Sequence, residues 1–128
     1  MRIEHVALNL PDPVKAAKWY AENLAMQVLK SSAEPPYAHF LCDMEGHSML
    51  EFYNNPKAAV PDYASQDPLT FHIAFMVYDM KIVRDKLLQA GAQAVGEVTQ
   101  TDDGNQLAML RDPWGVAIQL VKRKTPFL

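Results

Sequence analysis

The chain repeats itself, and the repeat limits what it can fold into. Ile3-Glu4-His5-Val6-Ala7-Leu8-Asn9-Leu10-Pro11-Asp12 returns as Thr70-Phe71-His72-Ile73-Ala74-Phe75-Met76-Val77-Tyr78-Asp79. Each copy carries one histidine in an alternating apolar run, then an aspartate that opens a helical segment. His5 and His72 lie 67 positions apart, as do Asp12 and Asp79. Self-similarity at a fixed period marks duplicated units. The expected layout is one domain over 1–128, with module one at 1–53, a linker at 54–69, module two at 70–122 and a tail at 123–128.

Each module reads β-α-β-β-β. Residues 2–10 alternate as a strand, with Val6, Leu8 and Leu10 on one face and His5, Ala7 and Asn9 on the other. Asp12 and Pro13 then suit a helix cap and first helical position, and Val14, Ala17, Ala21 and Leu24 recur at helical spacing. Residues 26–30 form a short strand, and 37–43 with 47–53 form a hairpin around Glu45-Gly46. The second copy follows suit. It has a strand at 70–77, a helix capped by Asp79 carrying Ile82, Val83, Leu87 and Ala90, and a stop at Gly91. A strand at 94–98, a turn at 101–105 and a hairpin of 106–111 with 116–122 complete it.

The bulk numbers exclude several classes. Net charge is −3, and the basic residues are scattered apart from Lys122-Arg123-Lys124, so no nucleic-acid footprint is expected. Cys42 has no second cysteine to pair with, which fits a reducing compartment. No basic-then-apolar leader and no apolar run near 20 residues is present. The expectation is a cytoplasmic protein with no membrane partner.

Symmetry directs attention to matched polar residues on the face away from the helices. His5 matches His72, and Glu51 in Met49-Leu50-Glu51-Phe52 matches Gln119 in Ala117-Ile118-Gln119-Leu120. Alternation puts Glu51 and Gln119 on the face of the two histidines. Two imidazoles, a carboxylate and an amide among small residues are costly unless satisfied. A divalent metal ion satisfies them together, and this donor set suits zinc, nickel, manganese, cobalt or iron while leaving positions open for substrate. The plainer alternative makes each histidine a structural residue bonded to backbone.

The chain resembles the vicinal oxygen chelate superfamily (glyoxalases, bleomycin-resistance proteins, extradiol dioxygenases). The carriers are Ile3-Glu4-His5-Val6-Ala7, Lys18-Trp19-Tyr20-Ala21-Glu22-Asn23-Leu24, Phe71-His72-Ile73-Ala74-Phe75, Leu87-Leu88-Gln89-Ala90-Gly91-Ala92 and Leu110-Arg111-Asp112-Pro113-Trp114-Gly115-Val116-Ala117-Ile118-Gln119-Leu120. The resemblance implies an α+β fold: two βαβββ modules pairing into an incomplete mixed-sheet barrel around a cavity, with the helices on the outer face. It implies metal ligands at His5, Glu51, His72 and Gln119, Glu51 as catalytic group, a small-molecule substrate and a homodimer. Glyoxalase I enzymes usually carry glutamate where this chain has Gln119, and an amide takes no proton at neutral pH.

Three functions follow from that resemblance. The first is a glyoxalase-like metal-dependent lyase or isomerase acting on a small oxygen-chelating substrate of the α-carbonyl type. The second is a metal-free binding protein of the bleomycin-resistance type. The third is an iron(II) extradiol-type dioxygenase. Lesser candidates for lining the cavity are Asn9, His39, His47, Tyr53 and the methionines Met49, Met76 and Met109. Cys42 reads as core, and Asp102-Asp103-Gly104-Asn105 as a plain turn.

Overall fold

The computed structural model describes residues 1–127. It divides into two compact units, Met1–Pro61 and a second from Asp62 onward. The first unit holds β1 (Val6–Asn9), α1 (Pro13–Asn23), β2 (Gln27–Ser31), β3 (His39–Cys42) and β4 (Met49–Tyr53). The second holds β5 (Ile73–Met76), α2 (Met80–Gln89), β6 (Gln93–Gln100), β7 (Gln106–Arg111) and β8 (Ala117–Lys122). The sheet orders are β1-β4-β3-β2 and β5-β8-β7-β6. The fold class is therefore α+β, with two four-stranded mixed sheets of βαβββ topology.

In each module the first strand pairs in parallel with the last, and the remaining contacts are antiparallel. Parallel neighbours need a long crossover, which the helix and two middle strands supply. β1 and β5 are shorter than alternation suggests because their partners begin late: Val6 meets Leu50, and Ile73 meets Ile118. Residues 2–5 lie outside the ladder, and Val6 at its open end is 44% exposed instead of buried.

Both helices start where expected. Asp12 accepts from the Lys15 N–H at 3.1 Å, and Asp79 from the Ile82 N–H at 3.0 Å. Their buried lines differ from expectation. Val14 is 50% and Ile82 66% exposed, whereas Pro13, Ala16, Ala17 and Tyr20, and likewise Met80 and Leu87, are buried. The cap fixes the helix phase, so the line facing the sheet begins at the residue after the cap and returns at helical spacing. α1 packs on β3 and β4, and α2 on β7 and β8. Tyr20 meets Phe52 edge-on at 4.9 Å between ring centroids. Leu8, Leu41, Leu50 and Phe52, and Leu110, Ile118 and Leu120, fill the helix-facing side. Each fully buried side chain of this kind contributes about 1.5–3 kcal/mol.

The hairpins turn on matched aspartates. Asp43 accepts from the N–H groups of Glu45, His47 and Ser48, and Asp112 from those of Trp114 and Val116. In the second unit Arg111 donates to the carbonyls of Tyr63, Gly115 and Gln66 at 3.0, 3.1 and 2.6 Å. This seats the 3-10 turn Tyr63–Ser65 on the β7–β8 hairpin. Gly115, at φ +89, lies beneath it: an added Cβ would stand 2.8 Å from Ala64 Cβ and 2.9 Å from Ala64 N. Gly91, at φ +102, ends α2, and a Cβ there meets only Pro113 Cγ at an ordinary 3.6 Å.

Two substitutions separate dihedral strain from steric clash. Gly91→Ala should cost about 1 kcal/mol, the left-handed penalty alone. Gly115→Ala should cost ~3 kcal/mol, because the same penalty is joined by overpacking against backbone. Denaturant unfolding checks both, and equal losses would refute the packing argument.

Candidate functional site

In the first module the register sets Ala7 beside Glu51, and Glu51 beside Phe40. His5, two residues before Ala7, reaches over that position. Its Nε2 lies 3.2 Å from Glu51 Oε2, and its Nδ1 lies 3.0 Å from Glu4 Oε2. Phe40 meets the imidazole edge-on at 5.5 Å between centroids. The His5 side chain is 31% and that of Glu51 18% exposed, against 69% for Glu4. A neutral imidazole carries one N–H and so donates to only one of these carboxylates. With the proton on Nδ1 toward Glu4, the Nε2 lone pair faces a carboxylate oxygen, an arrangement that calls for a cation or a second proton between them.

That pair passes a simple test of fit. Donors about 2.1 Å from one cation and 90–110° apart are separated by roughly 3.0–3.4 Å. The observed 3.2 Å falls within this range. Glu4 stands behind the ring, where a carboxylate on Nδ1 fixes the orientation of the imidazole.

In the second module Ala74 stands beside Gln119, and Met109 across from it. His72 immediately precedes β5, two residues before Ala74, and both it and Gln119 are half-buried. The His72 Nδ1 lies 2.8 Å from the Pro68 carbonyl. A carbonyl only accepts, so this contact places the proton on Nδ1 and leaves the Nε2 lone pair available. In the first module the histidine thus reaches its own Glu51; in the second, His72 is held by the Pro68 carbonyl two positions before the Ala74 that pairs with Gln119. Among the described residues, within neither unit do three histidine, cysteine, aspartate or glutamate side chains converge at metal-binding spacing.

The lesser candidates sort by register. His39 pairs with Phe52, which puts it on the helix side of the sheet, where it is buried and contacts the Tyr37 carbonyl through Nδ1 at 2.7 Å. His47 is exposed in the β3–β4 turn. Tyr53, Met49 and Cys42 share the Glu51 face, Cys42 as a buried free thiol. Met109 shares the Gln119 face, and Met76 is 45% exposed. A concavity of about 380 Å³ at the N-terminal end of the first unit is lined by residues including Glu4, Leu29, Cys42, His47 and Met49. Thr101 through Asn105 form a closed turn: the Asn105 N–H donates to Thr101 Oγ1, and the Thr101 hydroxyl bonds Asp103. That hydroxyl holds the Asp103 carboxyl below its ordinary range.

Sequence reasoning missed Glu4 and the Pro68 carbonyl. Strand alternation would set Glu4 opposite His5, but both precede the ladder, so alternation does not govern them. The Pro68 contact is with backbone and leaves no mark in residue identity.

Comparison with known proteins agrees with this architecture. A lactoylglutathione lyase from Haemophilus influenzae is 26% identical over 129 residues, covering 98% of this chain and 95% of that one. A probable lactoylglutathione lyase from Vibrio parahaemolyticus is 27% identical, covering 96% and 91%. A glyoxalase-family structure from Bacillus cereus superposes with a TM-score of 0.81 at 18% identity, over 95% of this chain and 93% of that one. Among the described residues no helix is long and apolar enough to cross a membrane. The family description Glyoxalase/Bleomycin resistance protein/Dioxygenase superfamily matches residues 2–120, and the chain belongs to that superfamily.

Proposed function

We propose that this protein is a glyoxalase-like, divalent-metal-dependent lyase or isomerase acting on a small α-carbonyl substrate. The observation that carries the reading is the 3.2 Å approach of His5 Nε2 to Glu51 Oε2, with Glu4 behind the imidazole. His5, Glu51, His72 and Gln119 are the residues proposed to hold the ion. A bound divalent ion supplies Lewis-acid stabilisation of the negative charge that develops on substrate oxygens when a neighbouring C–H loses its proton.

The chain's own groups do the rest. Glu51 takes the proton from the carbon beside the carbonyl and returns it to the adjacent carbon, which isomerises the substrate without any net change in composition. Gln119 offers an amide oxygen but no proton transfer, so the work falls to the first module alone. Phe40 and Ala7 stand on either side of Glu51 in the ladder. The small-molecule partner follows from this reading, as does a cytoplasmic setting from the unpaired Cys42. A homodimer is supported by edge strands β2 and β6, which are exposed along their whole length.

A second reading, a metal-free binding protein of the bleomycin-resistance type, is favoured by Gln119, an amide that takes no proton at neutral pH. The discriminating experiment is metal analysis of untagged protein, together with turnover of the methylglyoxal–glutathione adduct before and after chelation. The expected result is bound divalent metal, loss of metal in His72→Ala, and chelator-sensitive turnover. Glu51→Gln should lower kcat by about 10²–10⁴-fold, the worth of a positioned acid–base group. Ligand quenching of Trp19 or Trp114 that ignores the chelator, in protein that takes up no metal, would establish the second reading instead. Gln119→Glu should retain turnover, yet leave the Glu51→Gln variant inactive if Glu51 alone moves the proton.

A further inference from the structure

Asn9 ends β1 on the face of His5 and Ala7, and it is 9% exposed. Its amide is spent on one loop. Nδ2 donates to the carbonyls of Asn55, Ala58 and Ala59 at 3.2, 3.0 and 3.5 Å, and Oδ1 accepts from the Asn55 N–H at 2.8 Å. A reversed amide would set its oxygen against three carbonyls, so the orientation is fixed by its partners. The loop closes on itself, with the Ala58 N–H on the Asn55 carbonyl and the Lys57 N–H on Asn55 Oδ1. Asn54 ties it down further, donating from Nδ2 to the Leu10 carbonyl at 2.7 Å.

The ladder itself does not call for this arrangement. The Leu10 N–H bonds the Tyr53 carbonyl, and at the matching place in module two the Val77 N–H bonds the Val121 carbonyl. There the residue equivalent to Asn9 is Met76, which is 45% exposed. Asn9 stands opposite Tyr53, one same-face step beyond the Ala7–Glu51 pair. One such step is roughly 7 Å along a strand. A small molecule engaged by Glu51 therefore has the 55–59 loop within reach.

We propose that Asn9 is a positioning residue that holds residues 55–59 as a wall of the first-module site, so that the loop sets which substrates fit beside Glu51. This rests on the reading of His5 and Glu51 given above.

The test uses Asn9→Met, which copies the second module, and Asn9→Asp, which keeps the Oδ1 acceptor but turns a carboxylate toward the loop carbonyls. Trypsin should cut after Lys57 at least about tenfold faster in both variants than in the intact protein. Acylation of His5 by diethylpyrocarbonate, mapped by peptide mass, should rise about threefold while that of the exposed His47 stays constant. With the methylglyoxal–glutathione adduct, KM should rise about fivefold or more with kcat within a factor of two. Unchanged cleavage after Lys57 in a folded variant overturns the proposal. So does faster cleavage that leaves His5 acylation unchanged, or that leaves both KM and kcat unchanged. The first two readouts need no turnover, so an intact protein that fails to turn over the adduct removes the reaction without deciding the role of Asn9.

Discussion

The parallel pairing of first and last strands within each module is the constraint on which the rest depends. It forces the chain to leave along a helix and return through two antiparallel strands, because parallel neighbours cannot be joined by a tight turn. It also fixes the register that puts Ala7 beside Glu51 and Ala74 beside Gln119. Small residues at those positions matter. With only a methyl group on the neighbouring strand, the longer side chains of Glu51 and Gln119 have room to project, and His5 has room to lie across its partner. The side of the sheet facing the helix holds Leu50 and Phe52, or Ile118 and Leu120, so a one-residue slip would bury the carboxylate among aliphatics.

The changing offset between copies is explained by the turns. First strands and helices match at 67 positions, β3 and β7 at 69, and β4 and β8 at 68. The last step occurs where Asp43 closes onto Ser48 while Asp112 closes onto Val116, one residue sooner. Both aspartates collect the N–H groups of their own turn, so the added residue is absorbed outside the ladder. The Leu110 to Gly115 stretch, which carries much of the family resemblance, is thus structural: Arg111 binds three carbonyls, Asp112 builds the turn, and Gly115 makes room for Ala64.

Much of this was legible because it is written in local chemistry. Asp12 and Asp79 announce the helix starts, Gly91 a stop, and alternation assigns Glu51 and Gln119 to a face. What was not legible depended on phase or on backbone partners. The buried helix line runs through Pro13, Ala16 and Tyr20, not through Val14, because the cap fixes rotation more tightly than hydrophobicity does. His39 falls on the helix side through its pairing with Phe52. Glu4 lies outside the ladder. The loop on Asn9 is held through carbonyl groups, which every residue possesses, so its sequence carries no sign of where it docks.

Comparing the two copies separates what folding requires from what a site requires. On the helix side, Leu41 and Leu110 are identical, and Leu8 and Phe75, Leu50 and Ile118, and Phe52 and Leu120 differ only in apolar shape, as packing tolerates. On the other side the copies keep His5 with His72 and Ala7 with Ala74, then diverge in chemistry: Asn9 becomes Met76, Phe40 becomes Met109, Cys42 becomes Arg111, Met49 becomes Ala117, Glu51 becomes Gln119 and Tyr53 becomes Val121. Two of these positions, Phe40 and Glu51, meet His5 directly. A face that had only to cover a core would gain nothing from a half-buried carboxylate set against an imidazole already bonded to Glu4, since desolvating both groups costs free energy. An Nε2–H donating to Oε2, or an ion between the two atoms, removes that cost. The asymmetry therefore leaves a carboxylate in the first module, where His5 meets it at 3.2 Å, and a neutral amide at the matching place in the second.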